Sequence, residues 1–342
     1  MKSIAIGIGS YGISVITTMA DSDCFESVIA IDSDRHILDG LSIEQKIFVS
    51  KRLSACDAVE RIKNKLKKLI SDTDIVFVIS NPIDLPSPYI LPCIVDFIKS
   101  LGIAVIAQVI DPQGKYERTK KSQAKHVIEL LLNSTATIRI PQKNIKQYRE
   151  PNYGWYDAYI PQYSGRDNIL EQVEFDSWYK QGSLQESVYS KDVLVGAFYL
   201  QRTIELLNAD YACSSKEEIL NVISIKGLIH ISSAVARYKD ISDKYFTEAD
   251  SKQVLAEILR WRALFNDIID TSAHGSEGLI FVLNVSERFS KEDTALFCYM
   301  LHSFSLENTH SAFTINVVKT DSKDISVKLL ATGADDLEKE VT

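Results

Sequence analysis

The residues nearest to known chemistry stand at the start of the chain. In GIGSYG (7–12), Gly7, Gly9 and Gly12 have the spacing GxGxxG. Main-chain N–H groups at a helix N-terminus attract anions, and glycines let a phosphate approach the backbone closely. In dinucleotide-binding proteins an acid at the end of the second strand completes the pattern. Asp32 and Asp34 in AIDSD fit that position loosely. On spacing alone this suggests an oxidoreductase using NAD(P) or a flavin. The same residues read equally well as a tight structural turn followed by two surface acids.

Other chemistry finds less support. The stretch ISNPIDLPSPYI (79–90) carries Pro82, Pro86 and Pro88 and no glycine. Proline has no N–H to donate, so this loop is not expected to wrap a phosphate. The six histidines are dispersed, and His126, His230 and His302 fall in helix-like stretches, where packing or surface roles are expected. No HExxH, DxDxDG or Walker A pattern is present, so metal catalysis is not expected. The five cysteines are scattered without a CxxC pair, which argues against a zinc site or a disulfide framework and for a reducing cytoplasm.

These residues must be positioned by a chain of 342 residues, enough for about two domains. Hydrophobic residues make up 45% and charged residues 25%, an ordinary globular balance. The net charge of −8 predicts no bulk attraction to nucleic acid or anionic lipid. No apolar run approaches the ~18 residues of a membrane span. The glycine-rich start does not read as a signal peptide, so a cytoplasmic protein is expected.

SIAIGI, SVIAID, DIVFVIS, IAVIAQVID and TATIRIP are apolar runs on the scale of buried strands. Amphipathic stretches alternate with them, notably VERIKNKLKKLI, YILPCIVDFIKSLG and QAKHVIELLLNS. Strands apolar on both faces and alternating with helices predict a parallel sheet covered by helices, with ligands at the carboxyl ends of the strands. Residues 146–180 break the pattern. Nine of these 35 residues are aromatic, against 9% for the whole chain, so the segment is a candidate insertion. A long helix is expected over 186–208, and the remainder to 335 reads as mixed α+β.

Taken in order, these segments resemble the tubulin/FtsZ superfamily. IAIGIGSYGISVITTM is similar to the family's first strand, glycine loop and helix. AIDSDRHILDGLSIEQKIFV, DIVFVIS, SLGIAVIAQVIDP and AKHVIELLLNSTATIRIPQKNI follow its next elements. The stretch from GLIFVLNV to LLATG resembles its C-terminal domain. The resemblance implies a nucleotide-binding-type domain over 1–185, a central helix over 186–208 and an α+β domain over 209–335.

The departures fall on the chemistry. The family's glycine- and threonine-rich phosphate loop is replaced here by Ser80-Asn81-Pro82-Ile83-Asp84-Leu85-Pro86. The γ-phosphate-sensing region is replaced by SKRLSACDAVERIKN, which has no glycine. In the catalytic loop one acidic position persists as Glu218, and the other falls near Ser215. Gly9, Ser10 and Gly12 match the first glycine loop, with Tyr11 in place of a glycine. Asp192 matches the aspartate that reads guanine, and Arg118 matches a phosphate-side arginine. Asp192 reads equally as a helix-surface acid.

Two functions follow from the resemblance. One is an FtsZ-like scaffold that acts by self-assembly or by binding another protein, with GTP hydrolysis lost or weak. Tyr153, Trp155, Tyr156 and Trp178 would then serve as interface anchors, although they serve equally to pack an extra lobe. The other is a working GTPase that forms head-to-tail filaments. GTP or GDP is the implied ligand, and neither nucleic acid nor membrane insertion is expected. Family division proteins usually end in a linker and an adaptor-binding peptide. DDLEKEVT reads as neither, so recruitment by that route is not expected.

Overall fold

The computed structural model describes residues 1–20, 24–112, 116–140, 190–209, 214–238, 276–287, 310–319 and 323–334. The aromatic segment with Tyr153, Trp155, Tyr156 and Trp178 lies outside the described residues. The chain divides into two compact units. The first comprises Met1–Pro151, Phe175–Asn208 and Ile223–Ile229. The second comprises Asn152–Glu174, Ala209–Val222 and His230–Thr342.

The first unit is built on the strands β1 (Ser3–Ile8), β2 (Ser27–Asp32), β3 (Gln45–Phe48), β4 (Ile75–Ser80), β5 (Ala104–Ile110) and β6 (Ala136–Ile140). They pair in the order β3-β2-β1-β4-β5-β6, every pair parallel. The first residues of β7 (Gly227–Tyr238) add to β6, also in parallel. β1 and β4 are buried at every position, which is what a sheet with both faces covered requires of its central strands.

The helices are α1 (Gly9–Thr18), α2 (Arg35–Asp39), α3 (Ala55–Ile70), α4 (Ile90–Ser100), α5 (Arg118–Ser134) and α6 (Lys191–Leu207). On one face of the sheet α3 packs on α4 and α4 on α5. There Ile6, Ile31 and Val78 meet Leu66, Ile94 and Leu131 in one apolar cluster. α1 packs against β1, β4 and α6. Each fully buried Ile, Leu or Val contributes about 1.5–3 kcal/mol relative to exposure, so this double-sided core carries the unit's stability.

Local signals set the helix boundaries. Ser54 caps α3 by accepting the Asp57 N–H at 3.2 Å. Gly102 (φ 79°) follows α4 in the left-handed conformation that ends helices. Tyr89, just before α4, is the one non-glycine at positive φ (64°) among the described residues. Its hydroxyl lies 3.4 Å from His126 Nδ1 on α5.

The second unit contains α7 (Lys216–Ile223), the remainder of β7, β8 (Gly278–Ser286), β9 (His310–Val318) and β10 (Lys323–Ala334). The order is β7-β10-β8-β9. β8 pairs antiparallel with β10 and parallel with β9. Among the described residues no helix is long and apolar enough to cross a membrane.

Candidate functional site

Parallel strands deliver their following loops to one edge of the sheet, and the candidate residues of the first unit collect there. β1 ends at Ile8 and the chain turns into α1 through Gly9, which has φ 71°. No side chain caps this helix, so its first N–H groups carry the partial positive charge that attracts an anion. Ser10 is exposed at this end, whereas Gly9, Tyr11 and Gly12 are buried.

The three glycines have a packing reason for being glycines. A methyl group on Gly7 would lie 2.5 Å from the Gly12 carbonyl oxygen, and one on Gly12 would lie 2.1 Å from that of Ile79. A methyl on Gly9 would lie 2.6 Å from the Asp84 carbonyl oxygen. GxGxxG spacing here lets α1 settle directly on β1 and β4, and lets the loop after β4 press against Gly9.

Tyr11, which replaces a family glycine, turns into the core. Its hydroxyl lies against Gly196 of α6, where an added methyl would be only 2.3 Å away. Gln108 on β5 donates to the Gly196 carbonyl at 2.9 Å. The Tyr11 hydroxyl lies near Gln108 without a well-formed hydrogen bond. Burial first, and then the nearby Asp192 carboxylate, raise its pKa above the ordinary tyrosine value. Tyr11 is therefore a neutral wedge between α1 and α6.

The acids at the end of β2 make local bonds. The Asp32 carboxylate accepts the Asp34 N–H at 2.8 Å, and the Asp34 carboxylate caps α2 by accepting the His36 N–H at 2.9 Å. Both acids stabilise the turn that leaves β2.

The loop after β4 differs most from a phosphate cradle. Asn81 Oδ1 accepts the Ile83 N–H at 3.1 Å and its carbonyl accepts the Asp84 N–H at 3.0 Å. Asn81 Nδ2 donates to Asp84 Oδ2 at 3.3 Å. Pro82, Pro86 and Pro88 have no N–H. Five of the eight positions from 81 to 88 therefore have either no amide hydrogen or one already bonded. Ser87 Oγ ties the loop to the Leu53 carbonyl at 3.1 Å.

Asp84 also brings charge. Its carboxyl reaches solvent, yet crowding by the protein raises its pKa above the usual carboxylate value. Lys120 on α5 opposes that rise, and Asp192 in the first turn of α6 adds to it. Gly9, Tyr11, Asp84, Lys120 and Asp192 thus form one neighbourhood. Arg118, the arginine matched from the sequence, is exposed at the start of α5, and the cation acting on Asp84 is Lys120. Asn81, Asp84 and Lys120 were not singled out from the sequence as binding residues. The Asn-Pro dipeptide marking a turn was the available signal.

Glu218 lies in the second unit with a local role of its own. Its carboxylate accepts the Ser215 N–H at 2.6 Å, and Ser215 Oγ accepts the Glu218 N–H at 3.2 Å. This reciprocal pair is a capping box at the start of α7, readable in Ser215-Lys216-Glu217-Glu218. Among the described residues no group of three or more His, Cys, Asp or Glu side chains is placed to hold a metal.

The fit to a guanine nucleoside triphosphate is therefore divided. The uncapped start of α1, with Ser10 exposed beside it, can meet an anion. The Asn81–Asp84 turn and its carboxylate do not fit a terminal phosphate, which would meet negative charge and bonded amides.

No protein-family model and no curated protein sequence matches the chain. Solved structures do. An empty FtsZ dimer from M. jannaschii matches with a TM-score of 0.58 and 18% identity, over 97% of this chain and 88% of that one. CetZ2 from Haloferax volcanii, in a GTPgS-bound protofilament, matches with a TM-score of 0.61 and 10% identity, over 99% and 96%. TubZ of the Clostridium botulinum phage c-st gives 0.50 and 12%, over 98% and 93%. With matches spanning nearly its whole length, the chain has the α/β fold of the tubulin/FtsZ superfamily.

Proposed function

We propose that this protein is an FtsZ-like cytoskeletal or scaffold protein of the cytoplasm, acting by self-assembly or by binding another protein, with GTP hydrolysis lost or weak. The fold supports the first half, since similar chains include an FtsZ dimer and a CetZ2 protofilament. The Asn81–Asp84 turn carries the second half. Phosphoryl transfer depends on positioning and on electrostatic stabilisation of the transferring group. A loop whose amides are missing or bonded supplies neither, and each lost electrostatic contact costs roughly 10²-fold or more in rate. The catalytic-loop candidate is reduced to Glu218, held in a capping box. Ser215, at the second acidic position, cannot polarise a water as a carboxylate does.

Asp192 and the α1 terminus favour residual binding of GTP or GDP. Tyr153, Trp155, Tyr156 and Trp178 would anchor a protein interface. The test combines sedimentation with and without GTP and a turnover assay on the same sample. Assembly without measurable turnover supports the proposal. Turnover abolished by Glu218→Gln, which preserves the capping box, would replace it with the active, head-to-tail GTPase reading. Loss of assembly on deleting 146–180, with the melting transition retained, is the expected result for the aromatic segment.

A further inference from the structure

The net charge of −8 conceals a basic face. α3 carries five bases against two acids, α5 four against one, and α4 one of each, so the three-helix layer holds +6. The rest of the chain then holds −14. The helices α1 and α6 differ: α1 has no charged residue, and α6 has two of each sign.

The positive charge points outward. α3 turns Val59, Ile62, Leu66 and Ile70 into the core, and amphipathic geometry leaves its charged side facing away. Lys65, Lys67, Lys68 and Lys125 are exposed. The layer is α3 beside α4 beside α5, at the usual ~8–10 Å between axes. With α3 about 24 Å long at 1.5 Å per residue, it offers a broad face. The charges are lysine-rich, with seven lysines and two arginines on α3 and α5. Lysine is a point charge on a flexible stem, whereas arginine suits fixed, bidentate partners. A broad lysine face fits a fluid, diffusely anionic surface better than a particular phosphate or carboxylate.

We infer that the α3–α4–α5 face docks this protein on anionic lipid bilayers, peripherally and by electrostatics. The apolar sides of its helices are committed to the core, so nothing inserts. Attachment then rests on the attraction between exposed lysines and anionic headgroups, which salt screens, so it is strongly salt-dependent. The inference concerns a surface apart from the β4 loop and Glu218, and it stands whether or not the chain turns over GTP.

The test is co-sedimentation of the full chain, without nucleotide, with vesicles of phosphatidylcholine containing about 30% phosphatidylserine, at about 50 mM salt. Binding is expected to these vesicles, to be absent from pure phosphatidylcholine, and to be lost at ~300 mM salt, where the Debye length falls to about 5–6 Å. Each lysine near the surface is worth about five-fold in affinity. The quadruple variant Lys65→Glu, Lys67→Glu, Lys68→Glu, Lys125→Glu is expected to lose at least ~100-fold, with unchanged circular dichroism. If that variant is misfolded, the single Lys67→Glu, expected to lose at least ~five-fold, is read instead. No binding at low salt, or binding indifferent to these variants, overturns the inference. So does tighter binding to duplex DNA, or salt-sensitive self-association without vesicles that the variants abolish, since either gives the face another partner.

Discussion

The loops after β1 and β4 leave adjacent parallel strands at the same sheet edge, yet they are built in opposite ways. The β1 loop is held by close packing. Its glycines bring backbone against backbone, and its helix terminus is left without a side-chain cap. The β4 loop is held by its own hydrogen bonds, with Asn81 binding the two following amides and prolines fixing the rest. A loop stabilised by packing keeps its amides available to a ligand, whereas a loop stabilised by internal bonds has used them. Glycine content alone does not distinguish a phosphate site from a structural turn. What distinguishes them is where the amide hydrogens go.

The sharpest way to break this comparison is at Gly12. A methyl group there meets the Ile79 carbonyl at 2.1 Å, and the backbone on both sides is central core. Gly12→Ala is expected to cost at least ~3 kcal/mol, measured by urea unfolding. A loss below about 1 kcal/mol would mean that α1 is free to shift away from β4.

Next is the contact between Tyr11 and α6. Gly196→Ala drives a methyl into the Tyr11 hydroxyl and is expected to cost about 2 kcal/mol. Adding Tyr11→Phe removes the obstructing oxygen, so the double variant should recover ~1 kcal/mol or more. Strict additivity in the unfolding cycle would contradict the wedge.

On the other loop, Asn81→Ala removes the acceptor for the Ile83 N–H and is expected to cost about 1–2 kcal/mol. Asn81→Asp keeps that acceptor and should cost less. Equal losses would show that the turn does not depend on the side-chain oxygen.

Smaller still is the capping box. Glu218→Ala is expected to cost ~0.5–1 kcal/mol, and Glu218→Gln close to nothing, because glutamine keeps the acceptor. A glutamine variant as destabilised as the alanine variant would mean that charge, not capping geometry, holds α7.

The smallest effect is at Asp84. Its pKa in the folded chain lies above the ordinary aspartate value of about 3.8, so the folded state binds more protons than the unfolded state just above that pH. Stability therefore falls as pH rises from about 3.8 through the raised value. Asp84→Asn should remove that slope and leave the variant slightly more stable at neutral pH. Solvent exposure of the carboxyl keeps the gain small. A variant less stable at pH 7 than at pH 4, relative to wild type, would reverse the sign and point to Lys120 as the dominant neighbour.

Much of the fold was legible because strands and helices write themselves locally. Apolar runs such as DIVFVIS can only be buried strands in an alternating pattern. The spacing of Val59, Ile62, Leu66 and Leu69 gives α3, and Gly102 marks the end of α4. The order of these segments carried the family resemblance, although no family model matches the chain. The site was legible only in part. Gly7, Gly9 and Gly12 were visible as a motif, but their steric purpose was not, because Ile79 and Asp84 are distant in sequence. Ser215 and Glu218 were visible as candidates for chemistry, and the capping box in the same four residues was missed. The lysines of α3 and α5 were counted into a net charge that hid their common face.

By itself, then, the sequence determined the parallel α/β core, the absence of the family's phosphate-loop glycines, and the excess of acid over base. Each depends on residue type and short-range spacing. Only the tertiary structure decided that Asp84 presses on Gly9 beside Lys120 and Asp192, that Tyr11 wedges against Gly196, and that α3 and α5 present their lysines on one side. These depend on which distant segments the sheet brings together, and a linear pattern does not encode side-by-side placement until the chain has folded.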